Sequence, residues 1–387
     1  MISYSNGAIA KLLFLSLALG LAACGGGSPA GTIPAAQNTI ADTYHWVPRF
    51  TTLPLRGVDL TAMDAQRNAS TTIPYYKGSV KSPLDGNTYT YRIVGEDPQT
   101  SNSTTNVPYV PIALRVHFAD GTVLDPTKPG CNDTVPVENR FFKGPNFVST
   151  DLVSNGVDVG TTQVNDAFQR AEFWTILKGP KYHTMLVAAA HPIVVDIKAP
   201  SSATTVPGHC SDSKHVSHRV GRIDNLAFYK ILNGLVKMYA IPSQVPITLS
   251  YNVVLSDSSG CCILGFHGAD GGRAQTFAFG AYLDPAIFTG AEDIAVLTHE
   301  IGEVMNDPFV NNATPAWGHV GEVSGCQDNL EVGDPLSGKN FLVTYHGFTY
   351  HPQELAFFSW FFRTPSTGTG GLFSFEGTFK DSQGLCT

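Results

Sequence analysis

Residues 289–307 hold the segment that most limits what this chain can fold into. Thr289 followed three residues later by Glu292 matches a capping box and predicts a helix start. Pro308 predicts its end, because the residue before a proline is pushed out of the α region. Ile294, Leu297, Ile301 and Val304 recur at helical spacing as one apolar stripe, while Ala295 and Val296 carry the apolar surface round to the face of His299 and Glu303. A helix apolar on nearly every side belongs in an interior. Buried there, His299, Glu300 and Glu303 cost too much to leave without a partner.

The pattern His299-Glu300-x-x-Glu303 suggests what that partner is. Two donors four residues apart share a helix face and converge on one ion, and the glutamate between them can reach a water activated by that ion. This is the geometry behind H-E-x-x-H zinc hydrolases. Here Glu303 stands in place of the second histidine. A histidine with two carboxylates places two formal negative charges on an ion, which lowers its Lewis acidity and also suits harder cations. One divalent ion is therefore expected, Zn first, with Mn or Ca as alternatives. An acidic loop at 329–335 lies downstream, and a buried ion-pair cluster using Arg273 or Lys339 is the rival explanation.

From about Pro246 to Gly338, about a quarter of the chain, the sequence resembles a known pattern. His299-Glu300-Ile301-Gly302-Glu303, Asn306-Asp307-Pro308, Ala316-Trp317 and Glu331-Val332-Gly333-Asp334 are similar to the H-E-x-x-E, D-P, A-W and E-x-x-D elements of zincin-like secreted proteins. The nearest of these are bacterial relatives of the phosphate-induced, exordium-type family of plants. The resemblance implies a zincin-like core with His299 and Glu303 as ligands and Glu300 as the water-activating base. It also implies Glu331 as third ligand, and Asp334 as a ligand or as a partner of His299; Glu322 is a rival for the third position.

The remainder reads as short strands with few helices. Strands are predicted at 88–94, 107–118 and 184–197, a turn at Asp120-Gly121, and a helix over 162–177, where Val164, Phe168, Ala171 and Trp174 recur at helical spacing. Beyond residue 220 come a helix over 223–239, a strand at 247–255 whose edge could hold an extended peptide, a glycine-rich loop at 265–272 and a strand at 275–283. The fold class expected is α+β: a β-rich region at 44–220 and a zincin-like metal-binding region at 221–387 carrying the HExxE helix. His267, in the glycine-rich loop, is a candidate for stabilising charge that develops during hydrolysis, with a turn histidine as the plainer reading. His209, Cys210, His215 and His218 are close enough for a second metal site. Trp317 and His319 are pocket candidates, and His346 and His351 precede an aromatic run, Phe357, Phe358, Trp360, Phe361 and Phe362, expected mainly in the core. Together these residues point to metal-dependent hydrolysis of a peptide bond; the alternative is a non-catalytic, metal-stabilised surface protein that binds envelope ligands.

The N-terminus sets the compartment. Lys11, the apolar run at 12–21 and Leu21-Ala22-Ala23-Cys24 read as a lipoprotein signal peptide over residues 1–23, with Cys24 as the lipidated first residue. A glycine- and proline-bearing tether follows at 24–43. No later run approaches the roughly 18 apolar residues of a spanning helix. Membrane contact is thus expected through the lipid anchor only, at the bacterial cell envelope, or none if Cys24 is not acylated and the chain is secreted. A net charge of −8 argues against nucleic acid as a partner. In an oxidising compartment Cys131, Cys210, Cys261, Cys262, Cys326 and Cys386 are disulfide candidates. Cys131 is expected to pair with Cys210, and the adjacent Cys261 and Cys262 to bond to separate partners.

Overall fold

The structure is a computed structural model and describes residues 39–66, 71–210, 218–270, 273–383 and 386. The signal peptide, Cys24 and the tether up to residue 38 therefore lie outside the described residues, as does His215. The last residues assigned to the tether are folded: Thr39 caps a short helix, Ile40–Tyr44, whose Ile40 is fully buried.

An eleven-stranded mixed sheet organises the chain. Its longest strand, Thr104–His117, pairs in parallel with Val245–Tyr251, and along its other edge with His183–Ala188 and Ile193–Lys198. Val245–Tyr251 pairs in parallel with Gln275–Tyr282, which is antiparallel to Gly260–Asp270. Gly260–Asp270 then pairs with both Val253–Asp257 and the early strand Arg49–Leu53. Val245–Tyr251 and Gln275–Tyr282 are buried at every residue, as strands covered on both faces are. On one face Phe228, Leu232 and Val236 of the helix Asn225–Tyr239 pack on Phe266, Phe277 and Phe279. On the other lies the site helix, Ala295–Asn306, with Ile294, Leu297, Ile301 and Val304 against Val245, Ile247 and Ala278.

Two glycines let that helix sit close. Gly265 and Gly280 face each other across the ladder, and a Cβ on Gly280 would stand 2.6 Å from Leu297 Cγ. Leu355 covers the helix from outside at Gly302, and all twelve of its residues are buried, as the sequence requires.

The α+β class with a zincin-like second half is corrected. With 38 % strand against 20 % helix the protein is mostly β, built on a curled, mixed half-barrel sheet. Residues 221–387 hold only two helices longer than five residues among those described, because most of their apolar runs are spent on strands of the shared sheet.

Four local expectations change as well. The Thr289–Glu292 capping box is not used: Gly290 has φ +73°, Asp293 donates its N–H to Leu283, and the helix begins at Ala295. The strand at 247–255 is divided at Asn252, whose φ is +52°. Neither part has an edge for a peptide, since each lies between two other strands. Residues 265–270 are strand, not loop. Cys131 and Cys210 do come to disulfide distance, with Cα atoms 5.7 Å apart. Cys326 meets Cys386, which leaves Cys261 and Cys262 only each other. No helix among the described residues is long and apolar enough to cross a membrane.

Candidate metal centre

The site is assembled from three elements. The site helix supplies His299, Glu300 and Glu303; the strand Gly260–Asp270 supplies His267 from beneath; the segment after the strand Val323–Asn329 supplies Glu331 and Asp334. His267, His299 and Glu300 have no exposed surface, and Glu303 and Glu331 are 1 % exposed.

Glu303 is the centre of this cluster. Its Oε2 is 3.2 Å from His267 Nδ1 and its Oε1 is 3.1 Å from His299 Nε2, while the Gly333 N–H donates to Oε1 at 3.1 Å. His267 Nδ1–H also donates to Glu300 Oε2 at 3.1 Å, which turns Nε2 toward Glu331 Oε2, 3.6 Å away. His299 Nδ1 lies 3.2 Å from Gln353 Oε1 and 3.0 Å from Gln353 Nε2, which also donates to the Gly333 carbonyl, while His299 Nε2 faces Glu303 and, at 3.4 Å, Asp334 Oδ1. Asn329 donates to Glu331 Oε1 at 2.6 Å, and Gln327 to Asp334 Oδ2 at 3.1 Å. Gly333 can pass this close only because it lacks a Cβ, which would collide with the His299 ring.

Four buried atoms here make no hydrogen bond: His267 Nε2, His299 Nε2, Glu300 Oε1 and Glu331 Oε2. Orphans of this kind cost about 1–3 kcal/mol each, more when charged. The separations of 3.1 to 3.6 Å between imidazole nitrogens and carboxylate oxygens match donors about 2.1 Å from a shared ion, which stand roughly 3.4 Å apart at tetrahedral angles. Two groups of donors lie within 4.8 Å of one another, His267–Glu303–Glu331 and His299–Glu300–Glu303. These buried groups could hold a metal ion. Glu303 belongs to both, whereas His299 and Glu331 fall in different ones.

The cluster balances its charge through its own histidines, which an incoming cation would have to deprotonate. Burial pulls both imidazoles toward neutrality, yet the charge of Glu331 on His267 and of Glu303 on His299 holds them well above the usual histidine range. Burial pushes Glu300 up to about 7, and burial with the charge of Glu303 pushes Glu331 well up. Burial opposes ionisation of Glu303, but His299 and His267 hold it below the usual carboxylate range. Glu322 rises to about 10 through burial and the charge of Asp334. The Arg273 or Lys339 alternative is not what is found: among the described residues no Lys or Arg pairs with these carboxylates, and Arg273 donates to the Ala240 carbonyl.

Other candidates resolve differently. His319 lies beside Cys326, but that cysteine is joined to Cys386, and Cys210 is likewise joined to Cys131. Trp317 is core, fully buried against Trp360 and Phe361, with its N–H on the Asn329 carbonyl. His351 binds Asp293 at the start of the site helix, 2.6 Å away, and His346 is exposed beside Tyr345. Glu322, the rival third ligand, accepts the Phe50 N–H at 3.0 Å. Sequence reasoning missed Phe50, whose ring stacks on His299 at 3.6 Å, and Gln353, 54 residues from His299; neither sits at a spacing that signals a site.

Two surface clefts lie near the cluster, and the smaller opens on it at Glu331 and Asp334. One, about 400 Å³, is lined by Glu322, Asn329, Glu331 and Asp334, and the other, about 520 Å³, by Val296, Glu322 and Gln353. A larger open cleft of about 750 Å³, between Ser149 and Tyr345, contains none of the cluster. Compared with models of known protein families, with characterised proteins and with solved structures, the chain matches none.

Proposed function

We propose that this protein is an exported metal-dependent hydrolase acting on peptide bonds, with a divalent ion, Zn first, in the cluster around Glu303. The observation that carries the reading is the set of four buried atoms without a hydrogen bond on His267, His299, Glu300 and Glu331, whose carboxylates meet no Lys or Arg among the described residues and are answered only by the two histidines. A bound divalent ion supplies Lewis acidity, which activates water and polarises a carbonyl. Glu300 takes the proton from the attacking water; burial sets its affinity for protons near neutrality, where a general base works best. His267 orients Glu300 through its Nδ1–H, and Gln353 fixes the His299 ring. The chain's six cysteines beyond Cys24 serve as disulfides in the oxidising envelope to which Cys24 anchors it.

The test has two arms. Purified protein, stripped and reloaded with Zn, Mn or Ca, is assayed for bound ion and for hydrolysis of an unfolded protein such as casein. Glu300→Gln should keep its ion and lose turnover by about 10²-fold or more. Absence of near-stoichiometric ion overturns the metal reading. One observation favours a purely structural ion instead, the Phe50 ring covering His299; wild type that holds its ion and hydrolyses nothing under any condition would establish that alternative.

A further inference from the structure

The strand Arg49–Leu53 is an odd member of the sheet. None of its five residues is fully buried, and Val47, Pro48 and Pro54 around it are exposed. It runs parallel to Gly260–Asp270, with Phe50 opposite Gly265, Thr52 opposite His267 and Leu53 opposite Gly268. A Cβ on Gly268 would stand 2.6 Å from Leu53 Cβ, so the backbones meet closely there. This stretch thus lies along the one edge of the sheet that borders the cluster.

Its contacts with the site are specific. Phe50 lays its ring flat on the His299 imidazole, 3.6 Å between centroids and 9° between planes. The Phe50 N–H donates to both carboxylate oxygens of Glu322, at 3.1 and 3.0 Å. The cleft that opens on Glu331 and Asp334 and its neighbour are both lined by Arg49, Phe50 and Glu322. Arg49 and Phe50 are thus common to the walls of two clefts, one of which opens on Glu331 and Asp334.

We infer that the edge of Gly260–Asp270 opposite residues 49–53 is a binding site for an extended polypeptide, and that the chain's own Arg49–Leu53 occupies it as an internal blocker. The ligand class follows from the occupant. An edge strand offers main-chain N–H and C=O groups that any extended backbone satisfies, and side-chain pockets add selectivity. The pocket beside His299 takes an aromatic ring, since Phe50 fills it, and Glu322 takes the backbone N–H of that same residue. An incoming chain must displace Arg49–Leu53, so the site is closed until it is loosened. This rests on the hydrolase reading for its catalytic consequence, but the binding claim stands apart from it.

The test uses the full-length, metal-loaded chain. Phe50→Ala removes the stacking, and Phe50→Leu keeps apolar volume without the flat contact; Phe50→Tyr, which can stack, should behave as wild type. A fluorescein-labelled peptide copying residues 47–55 is titrated against each, with casein hydrolysis measured in parallel. Phe50→Ala and Phe50→Leu should bind the peptide about three- to ten-fold more tightly than wild type, as loss of one aromatic stack in the competing segment predicts, and should hydrolyse casein faster by a similar factor. Equal peptide binding by wild type and both variants, all folded and carrying their ion, would overturn the inference. Tighter binding without hydrolysis in any variant supports the edge site while it sinks the hydrolase.

Discussion

Glu300 and Glu303 lie on one helix, are equally buried and both touch His267, yet replacing each by glutamine should have very different costs in the metal-free protein. Glu303 is held ionised between two histidines that are themselves held protonated. Removing one partner from a buried charged group costs about 3–5 kcal/mol. Glutamine keeps the volume and can still accept the Gly333 N–H, which retains about 1 kcal/mol, so Glu303→Gln should lose about 2–4 kcal/mol. Glu300 accepts only from His267, its Oε1 has no partner, and burial brings it to about 7, so its neutral form is far more accessible than that of Glu303. An amide differs little from that state, and Glu300→Gln should stay within about 1 kcal/mol of wild type. The assay is urea unfolding of chelator-treated protein at pH 7, followed by circular dichroism, with the three slopes compared so that midpoints convert to free energies. Equal losses in the two variants, or a larger loss in Glu300→Gln, would refute the claim that Glu303 is the charge on which the cluster is built.

Three further outcomes follow from the same contacts. Metal affinity should rise with pH, because His267 and His299 are held protonated by their carboxylates and an ion must displace those protons; calorimetry in buffers of different ionisation enthalpy would show proton release on binding, and uptake would contradict it. Gly265→Ala should lose about 1–3 kcal/mol and weaken metal binding, since its Cβ would stand 2.6 Å from Glu300 Oε1 and 2.9 Å from Val296; chemical denaturation and metal titration report the two effects. His351 is raised first by its hydrogen bond to Asp293, so the stability it gives is complete below its unfolded value near 6.5 and is lost as pH rises through the folded value. With the ring 29 % exposed this amounts to no more than about 1 kcal/mol, and His351→Gln should flatten that part of the stability profile above pH 6.5.

The site helix is legible in the sequence because its apolar residues are dense enough to leave no solvent face, and that alone forces burial of His299, Glu300 and Glu303. Its start is not legible. The Thr289–Glu292 signal is local, and it loses to a bridge between Asp293 and Leu283 that only the folded sheet provides. The strands at 88–94 and 275–282 are legible from their own composition, but that 104–117 lies beside 245–251 is not, since pairing between distant segments leaves no mark on either one.

The glycines around His267 show most clearly why half of the site was hidden. Gly265 and Gly268 punctuate a run that reads as a turn, because glycine most often serves where the chain bends. Here they serve close approach: Gly265 makes room for Glu300, and Gly268 for Leu53. The same residues that disguise the strand are those that let a helix carboxylate and an edge segment reach His267 at all. Gly333 repeats the pattern under His299, in the acidic loop from which the resemblance draws Glu331. At Gly265 and Gly333, then, glycine near a candidate donor marks the close approach of a buried strand or loop to the site and not a turn. His267 itself sits on the strand and among the buried donors, not in the loop that its neighbouring glycines suggest.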